Sequence, residues 1–416
     1  MTSNREPTVG LEHLVALHPG AEITAVPLAA ATHQALDEVR RGLADLVAQG
    51  LLLPIGVDRY HRILDGHGLS KYVTTAHPVR RAMIAWYLTH AAAADVAINP
   101  HSRRYSPVYQ GLTAHPFPTA RAAHTWWAHA QSNIVAAQQV ASDEGWDDLV
   151  YQLAEAVWNP LRATYSDDLV HTLRVGVHAA RRSAHLLETV FHARLAYAES
   201  VRQRHESAIA AATHAVHQAS TCGDSGVQAM ALSARAHAHL AAGQSDPALA
   251  DLTAALPLEQ KSGSTRRMAL WRRRMGRVYT ATGDYNLAIQ HLHEAARLLD
   301  GTGDHLTHAR TLTHLAETRL RTGQPIQALI ALRLIKSTAI SDATPRYRVH
   351  ALTIEGQAHA QRGDTTLADH AYSQAIALCD LHLPESTRDR THVHHLRDQQ
   401  AGTSRPRWPA DDLTLQ

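Results

Sequence analysis

Residues 276–295, which read GRVYTATGDYNLAIQHLHEA, contain the spacing that decides the fold of the C-terminal half of this 416-residue chain. Gly283 stands at the centre of the stretch, with Gly276 seven positions before it, Ala288 five positions after it and Ala295 twelve positions after it. The spacing recurs every forty residues, with central glycines at Gly243, Gly283, Gly323 and Gly363 and following alanines at Ala248, Ala288, Ala328 and Ala368. A repeat of this length predicts a stack of helical hairpins, with a glycine turn in each.

The flanking positions of the repeat hold mostly small side chains, as closely crossing helices require. They are Ala236, Gly276, Ala316 and Gly356 before the turn, and Ala255, Ala295, Ile335 and Ala375 after it. One period earlier, Ala196, Ala208 and Ala215 take matching places, which predicts a more diverged fifth hairpin beginning near Glu188. Apolar residues make up 45% of the chain but phenylalanine occurs only twice, so the predicted fold class is all-α.

These spacings, with Tyr279 three residues after Gly276, resemble the tetratricopeptide repeat over residues 188–400. That family has a period of about 34 residues, so the resemblance implies longer helices or longer connections here. HEAT-like repeats, which run to about forty residues, are the alternative. The resemblance implies a superhelix whose first helices line a partner-binding groove.

Carried over residue by residue, the family's inward-facing positions predict the lining of that groove. The predicted partner-binding residues are His237, Arg273, Arg277, Arg310, Thr313, Arg321, His350 and Gln357, and the same positions include Met230, Ser233, Glu317 and Thr353. Arg273 and Arg277 lie one helical turn apart and can meet one anionic group together. The lining predicts a protein or peptide partner with acidic groups; a phosphate-bearing partner and a merely solvated basic helix face are the alternatives.

The charge balance and cysteine content exclude several classes of protein. Forty basic and 38 acidic residues give a net charge of +2. This charge is too small to indicate that the protein as a whole binds nucleic acid or anionic lipid electrostatically. Cys222 and Cys379 have no closely spaced partner, which disfavours a disulfide framework and a cysteine zinc site. Residues 1–10 lack an apolar signal core, so we expect a cytoplasmic protein that does not bind membranes. The oligomeric state is left open.

The N-terminal segment lacks the forty-residue repeat and has a different order of predicted helices and strands. Residues 11–17, 27–31 and 33–49 are predicted helices, and Gly50 ends the last of them. Apolar residues 51–55 and residues 60–64 flank a polar turn, which predicts a two-stranded wing. Three helices followed by a hairpin predict a winged-helix module over residues 11–78.

Several phrases of this segment and the next resemble the winged-helix and bridge regions of STAND regulators, the NB-ARC-type ATPases of actinobacteria. The phrases are Leu17-His18-Pro19-Gly20, residues 43–52, residues 59–65, Trp86-Tyr87-Leu88, and Trp126 with Asn133-Ile134-Val135-Ala136. Together with the array, the resemblance covers residues 11–400. It implies that the chain is the regulatory and sensing half of such a regulator.

Two departures from that family bear on nucleotide binding. Ile63-Leu64-Asp65 stands where the family has a Met-His-Asp motif, so the nucleotide-sensing histidine is missing. The sequence also contains no Gly-x4-Gly-Lys-Ser/Thr loop to hold nucleotide phosphates. Nucleotide-driven switching and a bound cofactor are therefore not expected in this chain.

No pattern of reactive residues predicts an enzyme. A Gly-x-Ser-x-Gly elbow is missing from the sequence, and neither cysteine has a defined histidine partner. The chain has 32 histidines, but the close sets lack the convergent further ligands that zinc requires. These sets are His291 with His293, His392 with His394 and His395, and His61 with His67. The prediction is a protein without a catalytic or metal site.

The predicted functional class is a non-enzymatic regulatory scaffold. We expect a winged-helix module at 11–78, a helical bridge at 79–187, a repeat array at 188–400 and a loose tail at 401–416. The array is expected to bind a protein or peptide in transcriptional or signalling control. Direct DNA binding is the alternative, through Arg40, Arg41, Arg59 and Arg62, although the helix that would enter the groove carries Asp37, Glu38 and Asp45.

Overall fold

The computed structural model of the protein describes residues 10–63, 77–113, 116–162, 166–337, 345–382 and 387–401. Leu64, Asp65 and His67 of the sequence predictions lie outside these ranges, as does the predicted tail after residue 401. The chain divides into two compact units, one formed by residues 1–160 with 171–187 and the other by residues 161–170 with 188–416. The three domain boundaries stay predictions. Within the described ranges, no helix is long and apolar enough to span a bilayer.

The first unit begins with three helices and a small antiparallel sheet. The elements are α1 (Leu11–Leu17), β1 (Glu22–Ile23), α2 (Ala25–Thr32), α3 (Leu36–Ala48), β2 (Leu52–Gly56) and β3 (Arg59–Arg62). The strand order is β1-β3-β2, and β2 and β3 form the predicted hairpin. Val39, Leu43 and Leu46 of α3 lie in the core, because their spacing puts them on one helical face.

The helix boundaries differ slightly from the predicted ones. Residues 33–35 were expected to open α3, but His33 has φ 56°, in the left-handed region, and caps the end of α2. Ala35 is extended, so α3 begins at Leu36. Histidine is one of the few non-glycine residues that adopt the left-handed conformation with some frequency, and hydrophobic periodicity does not report backbone conformation, so it did not reveal the break.

Further helices follow in the same part of the chain. They are α4 (His77–Ile98), a short 3-10 helix (Pro107–Tyr109), α5 (Ala120–Asp143), α6 (Asp147–Ala156), α7 (Trp158–Leu161) and α8 (Asp167–Arg182). Buried polar groups fix the loop after α4, where Arg104 donates to the carboxylate of Asp95 at 2.7 Å and Glu155 accepts from the backbone N–H of Ser106 at 2.7 Å.

Three of the phrases that carried the STAND resemblance meet inside the first unit. His18 bonds to the hydroxyl of Tyr87 at 2.8 Å, and Asn133 donates to the same hydroxyl at 3.1 Å and to the carbonyl of Glu22 at 2.7 Å. A Cβ on Gly20 would lie 1.9 Å from Oδ1 of Asn133, so only glycine fits there. Burial lowers the pKa of His18 to about 4, which keeps the ring neutral at pH 7.

The second unit contains the repeat array. Its helices are α9 (Leu187–Val201), α10 (His205–Ala219), α11 (Ser225–Ala241), α12 (Ser245–Lys261), α13 (Thr265–Thr282), α14 (Tyr285–Leu299), α15 (His305–Arg321), α16 (Pro325–Ser337), α17 (Pro345–Gln361), α18 (Thr365–His382) and α19 (Thr387–Ala401). The all-α prediction and the helical hairpins are confirmed. Only Gly283 and Asp284 connect α13 to α14, so long helices take up most of the forty-residue period.

The predicted turn glycines adopt the left-handed conformation that favours glycine. Gly243, Gly283, Gly323 and Gly363 have φ between 70° and 88°. Forty residues before Gly243, Gln203 occupies the equivalent turn with φ 60°. Its backbone N–H bonds to the carbonyl of Ser200, just as the N–H of Gly243 bonds to that of Leu240. The first hairpin therefore keeps the turn geometry without the glycine.

The small residues lie where the two helices of each hairpin cross. A Cβ on Gly276 would lie 2.5 Å from Cγ of Leu292, and a Cβ on Gly356 would lie 2.5 Å from the ring of Tyr372. Leu292, Leu332 and Tyr372 are equivalent positions of three successive second helices, so Leu292 and Tyr372 are two repeats apart. All of these side chains are buried. The close crossing leaves the backbone of the first helix in contact with a large side chain of the second.

Replacement of Gly356 by alanine is expected to lower the free energy of unfolding of the array by about 1–2 kcal/mol. Overpacking costs about 1–3 kcal/mol, and the better helix propensity of alanine returns up to about 1 kcal/mol. The double variant Gly356→Ala/Tyr372→Leu introduces the pair that the preceding hairpin has at Ala316 and Leu332. In chemical denaturation, the double variant should be more stable than the sum of the two single changes in unfolding free energy predicts. Additive changes would contradict the contact between residues 356 and 372 at the helix crossing.

Replacement of Gln203 by glycine is expected to stabilise the first hairpin by about 0.5–1 kcal/mol. Relief of left-handed strain contributes about 1–2 kcal/mol, and the greater freedom of glycine in the unfolded chain takes back about 0.5–1 kcal/mol. The reciprocal variant Gly243→Gln should destabilise the next hairpin by a similar amount. Hydrogen exchange of α9 to α12 would measure both changes, and equal protection in Gln203→Gly and the wild type would refute the expectation.

Candidate partner-binding face of the repeat array

The first helices of successive hairpins contact one another. Equivalent positions of these helices form two rows, and neighbouring members of a row are forty residues apart in sequence. One row is Tyr197, His237, Arg277, Glu317 and Gln357, and the other is Ser233, Arg273, Thr313 and Thr353. Positions four residues apart share one face of a helix, so the two rows lie side by side. We call the surface formed by the two rows and their neighbours the first-helix face.

The structure places all eight predicted groove residues on these first helices. Five are buried, namely His237, Arg273, Arg277, Thr313 and Gln357, and three are half-buried, namely Arg310, Arg321 and His350. Arg273 and Arg277 are only 8% and 7% exposed. These two side chains therefore do not form the solvated basic helix face that was the alternative interpretation. Their role in binding a partner stays a prediction.

Three residues of the first row form a chain of contacts across three hairpins. The ring of Tyr197 lies 4.7 Å from that of His237, and Arg277 donates through Nη1 to Nδ1 of His237 at 3.4 Å. Since a guanidinium only donates, Nδ1 of His237 must be unprotonated. Burial, followed by the charge of Arg277, lowers the pKa of His237 well below its ordinary value, which agrees with a neutral ring.

Arg273 is the most unusual residue of the face. Within the described ranges it forms no ion pair, and its Nε and Nη1 atoms are buried without a hydrogen-bond acceptor. Burial, and then the charges of Arg310, Arg274 and Arg277, lower its pKa well below the ordinary value. An arginine nevertheless keeps its proton in proteins, so the surroundings of Arg273 are electrostatically unfavourable.

A carboxylate on the neighbouring helix is, by contrast, fully engaged. Glu317 accepts from Arg321 at 2.9 Å, and its other oxygen lies 3.6 Å from Nδ1 of His314. Burial alone would raise the pKa of Glu317, but the contacts with His314 and Arg321 outweigh it and hold the pKa at about 2. Glu317 is therefore charged at pH 7 and satisfied by its own neighbours.

Sequence reasoning missed three residues of this face, namely Tyr197, His314 and Tyr347. Tyr347 bonds to the hydroxyl of Thr313, and burial raises its pKa. Tyr197 could have been found, because it stands one forty-residue period before His237. His314 and Tyr347 lie outside the two rows, and no feature of the repeat predicts their contacts.

The basic residues of the N-terminal elements are engaged within the protein. Arg59 donates to Glu22 at 2.7 Å, and Arg62 donates to a backbone carbonyl of α1 at 3.2 Å. Nε of Arg40 lies 3.4 Å from a carboxylate oxygen of Asp58. These contacts reduce the positive charge that the hairpin and α3 offer to an external phosphate.

The tetratricopeptide repeat family matches residues 266–335, which contain α13 to α16. The array is thus of the tetratricopeptide type rather than of the HEAT type. None of the curated proteins matches the chain.

Solved structures with which the chain can be aligned include the following two. The crystal structure of a STAND protein with a tetratricopeptide repeat sensor from Pyrococcus horikoshii has a TM-score of 0.58 and 13% identity, and the match covers 95% of this chain and 54% of that one. A Rap protein complexed with Competence and Sporulation Factor has a TM-score of 0.47 and 10% identity, with 77% and 97% coverage. The chain therefore spans about half the length of the STAND protein, and at this identity the similarity concerns the fold.

Replacement of Glu317 by glutamine is expected to destabilise the array by about 3 kcal/mol, because it removes the buried carboxylate that accepts from Arg321 and lies beside His314. The matched control is Glu294→Gln, which removes a carboxylate that pairs with Arg297 at 2.7 Å on an exposed helix surface. Exposed pairs contribute little to stability, so the control should unfold like the wild type in urea. Equal destabilisation by the two substitutions would contradict a buried, structural role for Glu317.

Proposed function

We propose that the protein is a non-enzymatic regulatory scaffold that binds a protein or peptide partner on the first-helix face. The observation that carries the proposal is the burial of Arg273 among other arginines without a described acceptor for two of its N–H groups. Buried polar groups in proteins normally find partners. A partner that supplies hydrogen-bond acceptors at this face would satisfy the N–H groups of Arg273.

Stability alone gives no reason for this arrangement. A well-packed apolar side chain at a buried charged position is often neutral or stabilising. The array already has apolar contacts through its alanines and leucines, as in the buried set of Ala236, Leu252 and Met275. The charged residues of the face are better explained by recognition than by packing.

The regulatory part of the proposal rests on the order of the elements. The three helices and hairpin at the N-terminus match the order expected of a winged helix, and the phrases shared with STAND regulators meet at Tyr87. We propose that the chain acts in the cytoplasm in transcriptional or signalling control, as the sensing half of such a regulator. Direct DNA binding by the N-terminal elements is less well supported, because Arg59 and Arg62 already bond within the protein.

Affinity capture from native lysate, followed by mass spectrometry, tests the proposed partner binding. The full chain should recover at least one protein that the double variant Arg273→Gln/Arg277→Gln fails to recover, since the variant lacks both guanidinium groups of α13. The matched control is Arg297→Gln/Arg333→Gln, which removes two charges from the exposed surfaces of second helices.

The control variant should recover the same protein as the wild type. If the set of recovered proteins does not depend on Arg273 and Arg277, or if nothing is recovered, the proposed function is wrong. Circular dichroism of each variant would verify that the helical content is unchanged.

A further inference from the structure

The charges around Arg273 indicate what kind of group the first-helix face receives. Arg310, Arg274 and Arg277 are close enough to act on the pKa of Arg273, and no carboxylate is among the groups that do so. Glu317 is committed to Arg321 and His314. The local charge is therefore strongly positive, and the protein itself does not neutralise Arg273 within its described part.

Two buried hydroxyl groups add to the donors of this region. Oγ of Ser233 and the hydroxyl of Tyr197 have no hydrogen-bond partner among the described residues. Ser233 precedes Arg273 by one repeat in the same row, and the ring of Tyr197 contacts His237, which in turn accepts from Arg277. The donors come from α9, α11 and α13, which are the first helices of three successive hairpins.

We infer that this cluster receives the dianion of a phosphate monoester carried by the protein partner, with Arg273 as its main ligand. The inference rests on the proposed function, because it assumes that a partner binds the first-helix face. It names the chemical group that the partner must present there, a phosphorylated side chain.

A phosphate monoester suits the cluster better than a carboxylate does. It carries a charge of about −1.5 to −2 at pH 7 and three acceptor oxygens, whereas a carboxylate carries one charge and two oxygens in a plane. Guanidinium groups bind phosphate through paired N–H groups, and hydroxyls can serve the remaining oxygen.

The rest of the face suits a phosphate attached to a polypeptide. Thr353 and Gln357 continue the two rows two repeats beyond Arg273. The amide of Gln357 has both donors and an acceptor for the backbone of a bound segment, and the hydroxyl of Thr353, which donates to the carbonyl of Val349 at 2.8 Å, can still accept. The face can thus read a phosphate at one end and main-chain groups further along.

Calorimetric titration with phenyl phosphate and with benzoate, at matched ionic strength, tests the choice of anion on the full chain. The wild type is expected to bind phenyl phosphate at least about tenfold more tightly than benzoate. Arg273→Gln should lose this binding, and Arg273→Lys should keep only part of it, because lysine lacks the fork of donors. Arg272→Gln is the matched control, since Arg272 lies near His291 and Glu294 of α14.

The stability of the free protein gives a second readout. Removal of an unneutralised buried charge should raise the melting midpoint of Arg273→Gln by about 2–4 °C without ligand. A lower midpoint would make Arg273 a structural residue and overturn the inference. Equal binding of phenyl phosphate and benzoate, or equal loss in the Arg272 control, would overturn it too.

Phosphatase treatment separates the inference from the proposed function. Capture of the protein that depends on Arg273 and Arg277 should be lost after the lysate is treated with phosphatase and retained when phosphatase inhibitors are present. Capture that survives dephosphorylation would leave the proposed function intact but refute the phosphate. If phenyl phosphate binds and capture still survives, the phosphate belongs to a small molecule, and the inference about the partner is wrong.

Discussion

The close crossing of the two helices in each hairpin is the constraint on which the array depends. At Gly276 and Gly356 a large side chain of the second helix lies where a Cβ would be, and the equivalent positions Ala236 and Ala316 carry only a methyl group, so the close approach depends on small residues in the first helix. Because the crossing recurs with a constant period, each first helix presents the same positions in the same orientation as the last. The two rows of the first-helix face follow from that regularity.

The same face contains one buried charge that its neighbours satisfy and one that they do not. Around Glu317, a carboxylate, a guanidinium and an imidazole satisfy one another. Around Arg273, positive groups come together and two N–H groups have no acceptor in the described part of the protein. Buried charges without counter-charges destabilise a fold, and this contrast is the basis of our proposal that an external anion binds at Arg273.

In the first unit, polar contacts hold the N-terminal elements to the helices that follow. His18, Tyr87 and Asn133 share a small buried network, and Gly20 leaves the room that Asn133 needs. Residues far apart in sequence thus depend on one another in this part of the fold. The arginines of the hairpin take part in similar internal contacts and are directed toward the protein itself.

The sequence by itself determined the repeat, its hairpins and the turn positions, because small residues and left-handed glycines are local requirements that recur at fixed spacing. It also determined which residues of the first helices share a face, since four-residue spacing follows from the helix alone. Only the tertiary structure decided that Arg277 bonds to His237, that Glu317 pairs with Arg321 beside His314, and that Nε and Nη1 of Arg273 have no acceptor within the described part of the chain. Those outcomes depend on distances between side chains of neighbouring helices, and helical periodicity does not encode such distances.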